Sequence, residues 1–218
     1  MIKAIIFDMD GLMIDSERAT YNSYLKVLKP MGLTMSEDHY KTFLGKNVAG
    51  IQERIRAGLG EDFDAAGLMM RMHIVLNQDF EENGVPIKPG LIELLQYLKD
   101  NNYKTIVATS SDRDRVDRIL AQADITDYFN DSVCGNEVAR GKPNPDIFLT
   151  ACDKLGVQPD EAIVLEDSES GIMAGYNANI KVICVPDMKY PEPEYAEKTW
   201  KFVKTLDEII DVLKEENQ

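Results

Sequence analysis

Residues 5–17 read IIFDMDGLMIDSE, and the fold turns on this stretch. Ala4 to Phe7 make a continuous apolar run, which fits a short strand covered on both faces. The run leads straight into Asp8 and Asp10, two carboxylates held two residues apart, with Gly11 directly after them. Carboxylates that close repel each other, so they are either solvated or gathered around something positive.

Further along, similar runs recur at Thr105–Ala108, Ala162–Leu165 and Lys181–Val185, with Ser132–Cys134 a weaker fifth. Between them lie helical patterns: Leu91, Leu94, Leu95 and Leu98; Val116, Ile119 and Leu120; Ile147, Phe148, Ala151 and Leu155. Strands alternating with helices of this length predict βαβ units and a parallel sheet. Residues from about Ser16 to Gly84 carry helical spacing instead, at Tyr21, Tyr24, Leu25 and Leu28, then Ile51 and Ile55, then Leu68, Met72, Val75 and Leu76. The expected architecture is therefore α/β: a Rossmann-like parallel sheet core, 1–15 and 86–218, with an inserted α-helical cap domain, 16–85. The joints fall near Met13 to Glu17 and Glu82 to Lys88, the second rich in Gly and Pro. A one-sided stripe at Leu206, Ile209, Ile210 and Leu213 predicts a last helix docked on the core.

Composition narrows the function classes. With 38 acidic against 24 basic residues, the formal charge of −14 argues against binding nucleic acid by its backbone. Cys134, Cys152 and Cys184 have no metal-ligand spacing and read as reduced thiols. The apolar run at the start is too short for a signal peptide, and no stretch reaches the length of a membrane span. A soluble cytoplasmic protein, monomeric so that a cap can move, is the expectation.

In an open parallel sheet the ligand crevice lies outside the carboxyl ends of the strands. Asp8-Met-Asp10, Thr109-Ser110-Ser111, Gly141-Lys142-Pro143 and Glu166-Asp167-Ser168 all fall just past strand ends or in connecting loops. Together they suit phosphoryl transfer, where positioning and charge stabilisation do most of the catalysis. Asp8, with an ordinary pKa of about 3.9, is expected to be ionised and able to attack phosphorus without a partner base. Asp10 would protonate the departing alkoxide and then deprotonate water. Asp8 and Asp167 would hold Mg²⁺, a hard cation suited to oxygen ligands, with Glu166 supporting it through water. Thr109 would offer its hydroxyl to the transferring oxygens and Lys142 would neutralise their charge. Each piece alone has a plainer reading: a solvated turn, a surface lysine, a helix cap. An EF-hand loop is excluded, because Leu12 stands where it needs an oxygen ligand and Met13 where it needs glycine.

The segments FDMDGLMIDSE, ATSS, GKPNPDIF and LEDSESGIMAG resemble the four signature motifs of the haloacid dehalogenase superfamily, and within it the β-phosphoglucomutase-like phosphatase branch. The resemblance covers essentially the whole chain. It implies Asp8 as nucleophile, Asp10 as acid and base, Thr109 and Lys142 as phosphate contacts, and Ser110 as a lesser one. It also implies Mg²⁺ held by Asp8, the Asp10 main-chain carbonyl and Asp167. Dehalogenases and phosphonatases of the superfamily lack the aspartate that Asp10 supplies, so phosphate-ester chemistry is favoured. The sugar mutases carry a histidine where this chain has Thr20, and a cap arginine near Lys46-Asn47-Val48, where this chain has none. A phosphatase for a small phosphorylated metabolite, a sugar or polyol phosphate, is the preferred reading. A β-phosphoglucomutase-type mutase is the alternative, and a non-catalytic binding protein on the same fold a further one. Lys46 and Asn47 are the candidate contacts to the leaving group. His39 and His73 are read as surface or cap-packing residues, and Trp200 and the methionines 69, 70 and 72 as packing residues.

Overall fold

The computed structural model describes residues 1–217. β1 (Ala4–Phe7) is followed by α1 (Ser16–Leu28), α2 (Glu37–Lys41), α3 (Val48–Leu59) and α4 (Ala65–Asn83). The chain then alternates through α5 (Leu91–Asp100), β2 (Lys104–Thr109), α6 (Arg113–Gln122), β3 (Asp131–Cys134) and α7 (Asp146–Leu155). It ends with β4 (Ala162–Glu166), α8 (Glu169–Asn177), β5 (Lys181–Cys184), α9 (Pro193–Ala196), β6 (Lys201–Phe202) and α10 (Ile209–Glu216). Two compact units result: Met1–Asp15 with the chain from Ile87 onward, and Ser16–Pro86. Among the described residues no helix is long and apolar enough to cross a membrane.

The first unit is built on a six-stranded sheet in the order β3-β2-β1-β4-β5-β6, every pairing parallel. Its central strands are apolar because both faces are covered. One face carries Ile6, Ile106, Ala108, Val133, Val164 and Val182, packed with Ile147, Phe148 and Leu155 of α7 and Ile172 of α8. The alternate residues, such as Ile5, Phe7, Val107 and Leu165, point the other way and are also buried. There α5 packs on β2 and α10 packs on α5. The weak fifth strand is β3. β6, two residues long, went unread: Lys201-Phe202 carries no apolar run, and it pairs only along the far edge of β5. Just before it, Trp200 donates its main-chain N–H to Val182 O at 2.8 Å, and the Lys181 and Lys201 ammoniums lie 4.4 and 5.2 Å from its ring centroid.

In the second unit α4 packs against both α1 and α3. Tyr24, Tyr40 and Phe43 are buried in it as an edge-to-face and tilted aromatic cluster. Met72 is buried in α4, whereas Met70, two residues and about 200° away round the helix, is exposed. Packing is thus the wrong reading for Met70. His39 stacks edge-on to Phe43, with its ring against Gly58.

The strand order reverses between β1 and β4, and such a switch point opens a crevice at the carboxyl ends. Register sets its contents. Phe7 is level with Val107 on one side and Leu165 on the other, so Asp8 comes level with Ala108 and Glu166.

Truncating Ile106, fully buried under α7, should cost about 2–5 kcal/mol through lost burial and the cavity left behind. Urea unfolding of Ile106→Ala measures this. A loss below about 1 kcal/mol would mean that this face of the sheet repacks freely.

Candidate active site

Asp8 is the first residue past β1, its N–H donating to Leu165 O at 3.1 Å. Gly11 then reverses the chain at φ +83°, and Met13 and Ile14 donate back to Met9 O. Only glycine suits this corner, because the conformation is left-handed and a Cβ would run into Asp167 Oδ2. The aspartate motif and the β4 loop are thereby brought into contact.

Lys142 reaches the same point from the loop before α7, and it is almost sealed from solvent. Its ammonium donates to Asp8 Oδ1 at 2.5 Å, Glu166 Oε1 at 2.6 Å and Ala108 O at 3.1 Å, using all three of its donors. The Phe148 ring lies 5.0 Å away on its other side. Glu166 ends β4, fully buried, and its Oε2 accepts from the N–H groups of Asp167 and Ser168 and from the Ser168 hydroxyl. Both of its oxygens are therefore occupied within the protein. In this structure it anchors Lys142 and the β4–α8 turn. Ser168 also caps α8 through Gly171 N–H, and α8 approaches so closely that a Cβ on Gly171 would overlap the Glu166 carboxylate.

Asp8, Glu166 and Asp167 each place a carboxylate oxygen within 4.8 Å of the others. One ammonium faces three acidic groups. Burial above all pushes the Asp8 carboxyl up to about 7, against the pull of Lys142 and with smaller additions from the charges of Glu166 and Asp10. Burial, then the charges of Glu166 and Asp8, raise Asp167 well above the carboxylate range. For Lys142, burial works against the charged form, but Asp8 and Glu166 outweigh it and hold the ammonium protonated. Without a further positive partner, burial thus works against the ionised form of Asp8 that the sequence suggests. Its charge at neutral pH calls for a further positive partner. Asp167 Oδ1 points to the same need, since it is buried and accepts no hydrogen bond among the described residues. Close carboxylate oxygens, surplus negative charge and an unpaired buried acceptor fit a hard divalent cation.

Of the other expected residues, Thr109 ends β2, buried, its hydroxyl oxygen accepting from Ser111 N–H at 3.2 Å. Ser110 is exposed, and it is Ser111 that turns inward, donating to Asp10 Oδ2 at 2.8 Å. Arg115, on the first turn of α6, donates to Asp10 Oδ1 at 2.6 Å. Neither Ser111 nor Arg115 was singled out from sequence, because nothing along the chain distinguishes Arg115 from Arg113 or Arg118. Lys46 and Asn47 lie in the helical unit, both exposed, and the Asn47 side chain caps α3 by accepting from Gly50 N–H at 2.9 Å.

A family model for haloacid dehalogenase-like hydrolases matches residues 5–185. A phosphorylated carbohydrates phosphatase of Thermotoga maritima is 31% identical over 84% of this chain and 84% of its own. Hexitol phosphatase B of Escherichia coli K12 is 28% identical over 85% of this chain and 84% of its own. Among solved structures, a Thermotoga maritima protein provisionally named a β-phosphoglucomutase superposes with a TM-score of 0.82 at 30% identity, covering 98% of this chain and 99% of its own.

The raised Asp8 carboxyl has a signature in metal-free protein. Its folded-state value of about 7 lies above the ordinary 3.8, so its contribution to stability is full below 3.8 and is lost as pH rises through about 7. After chelation, wild type should therefore lose stability relative to Asp8→Asn across this window. Urea midpoints of both proteins from pH 4 to pH 8 measure the difference. A difference that stays flat with pH would show that Asp8 is not held in its neutral form by burial.

Proposed function

The chain belongs to the haloacid dehalogenase-like hydrolase family, and from that premise we propose that it is a Mg²⁺-dependent phosphatase of small phosphorylated metabolites, a sugar or polyol phosphate, acting through an aspartyl-phosphate. One observation carries this reading: a buried carboxylate at the end of the central strand, Asp8, held between Lys142 and Asp167 with Asp10 two residues on. The relatives named for phosphorylated carbohydrates and hexitols support the substrate class.

Asp8 attacks the phosphorus of the bound monoester and forms a new P–O bond, while the bond from phosphorus to the alcohol oxygen breaks. Asp10 gives that oxygen a proton and leaves as carboxylate. A water then attacks the acyl phosphate, Asp10 takes its proton, and free phosphate departs with Asp8 restored. Lys142 holds Asp8 in place and offers positive charge to the transferring oxygens, and Thr109 offers a hydroxyl. Asp8, Asp167 and the Asp10 main-chain carbonyl would hold Mg²⁺, whose charge keeps Asp8 ionised and offsets the negative charge of the phosphoryl group. The leaving group would be selected from the helical unit, with Lys46 and Asn47 as contacts. Three buried, unpaired cysteines suit the reducing cytoplasm, where the enzyme would work as a monomer.

A mutase is the second reading, favoured by the likeness to the Thermotoga maritima protein. Thr20 and the lack of an arginine at residues 46–48 weigh against it, because a lysine there lacks the two-pronged grip on a second phosphate.

Phosphate release from a panel of sugar and polyol phosphates, with and without Mg²⁺, tests the proposal, with β-glucose 1-phosphate isomerisation followed alongside. Release should require Mg²⁺ and concentrate on a few substrates, and Asp8→Asn should retain about a thousandth of the rate or less. Glucose 6-phosphate formed with little phosphate released would make the enzyme a mutase. Lys46→Ala should reorder the substrates while leaving the Mg²⁺ requirement alone, and the reverse pattern would remove Lys46 from selection.

A further inference from the structure

The role given to Asp10 leaves two of its contacts unexplained. Both of its carboxylate oxygens are already held, Oδ1 by Arg115 Nη2 at 2.6 Å and Oδ2 by the Ser111 hydroxyl at 2.8 Å. The donors come from one short segment, Ser111 in the loop after β2 and Arg115 one turn into α6. Helix phase selects the arginine. Arg113, about 200° away round α6, turns to the β3 edge, where it pairs with Glu137 and Ser132. Arg115 faces the aspartate motif, its stem half-buried beside Val116, which lies fully in the core.

The two contacts are not equivalent. A guanidinium has donors only and stays charged, so the oxygen it holds can serve only as an acceptor. A serine hydroxyl donates to a carboxylate and can turn to accept from a carboxylic acid. A proton on Asp10 is thus accommodated at Oδ2 without breaking either contact, and at Oδ1 only by expelling Arg115.

We propose that Arg115 is a positioning residue that fixes Asp10 through Oδ1 and so leaves Oδ2, beside Ser111, as the oxygen that passes the proton to the departing alcohol. This rests on the phosphatase reading above for the part Asp10 plays. The proton leaves Asp10 Oδ2 for the ester oxygen as its bond to phosphorus breaks. Without Arg115 the carboxyl can rotate, and misplacement of an acid by an ångström is enough to slow a reaction about a hundredfold.

Arg115→Met keeps the stem and removes the fork, and Arg115→Lys restores a charge with a single donor. Both are assayed with Mg²⁺ on an alkyl phosphate, glycerol phosphate, and on p-nitrophenyl phosphate, whose leaving group departs without a proton. The readout is kcat/KM, which covers the steps up to leaving-group departure. Arg115→Met should lose about 10- to 100-fold on the alkyl ester and about threefold or less on the aryl ester, with Arg115→Lys recovering part of the loss. Equal losses on the two esters, or no loss on either, overturn the proposal. If wild type releases phosphate from neither, the phosphatase reading fails only if the whole panel of sugar and polyol phosphates also releases none, and crystal structures of wild type and Arg115→Met decide the positioning. An Asp10 carboxylate displaced in the variant upholds it, and an unmoved one overturns it.

Discussion

The Lys142 ammonium is the contact on which the site depends. Burying a lysine costs several kcal/mol unless its charge and all its donors are matched. Here they are, by three groups that belong to three neighbouring strands: Ala108 O on β2, Asp8 just past β1 and Glu166 at the end of β4. A shift of register by one residue in either pairing of β1 would separate these acceptors and leave a buried charge unpaired. The same three bonds that hold the nucleophile candidate therefore pin the sheet at its switch point.

Satisfying Lys142 does not balance the cluster. Asp8, Glu166 and Asp167 bring up to three negative charges against one positive, and Asp167 Oδ1 accepts no hydrogen bond among the described residues. Glu166 is the member least open to a ligand, since four donors already occupy its two oxygens. The unsatisfied capacity sits on Asp8 and Asp167, two carboxyls that burial raises. A folded protein tolerates such a defect when a ligand removes it, and a cation bound by N alone stabilises N by mass action. Such a cluster is built in the folded chain at a cost that a bound cation would offset.

Much of this was legible in the sequence because it is written in local pattern. Apolar runs four or five residues long marked β1, β2, β4 and β5, and their order with helices between them gave a parallel sheet whose carboxyl ends collect Asp8, Thr109 and Asp167. What stayed hidden depends on angle rather than order. Ser111 and not Ser110 turns inward, Arg115 and not Arg113 faces Asp10, and Met70 lies outside while Met72 lies inside. Each is a neighbour one or two residues away on the same segment, and only the phase of the helix or turn separates them. The upward push that burial gives the Asp8 carboxyl was hidden for a different reason. A reference pKa belongs to a solvated carboxyl, and burial is a property of the folded sheet.

The division between the two units follows from the same logic. Asp8, Asp10, Thr109, Lys142 and Asp167, the residues proposed for the phosphoryl chemistry, all lie in the sheet unit, so that chemistry could be kept while the helical unit varies. In that unit Asn47 is already committed, its side-chain oxygen closing the first turn of α3, and replacing it would loosen the helix along with any ligand contact. Lys46 is exposed with no ion pair or side-chain hydrogen bond among the described residues, and its four-carbon stem can reach in several directions. Of the two, Lys46 is the residue that can change, or be changed, for recognition alone. On the proposed reading, a leaving group chosen by Lys46 would be chosen by charge and reach, which suits hydroxyl-rich esters of varied length better than a single rigid ring.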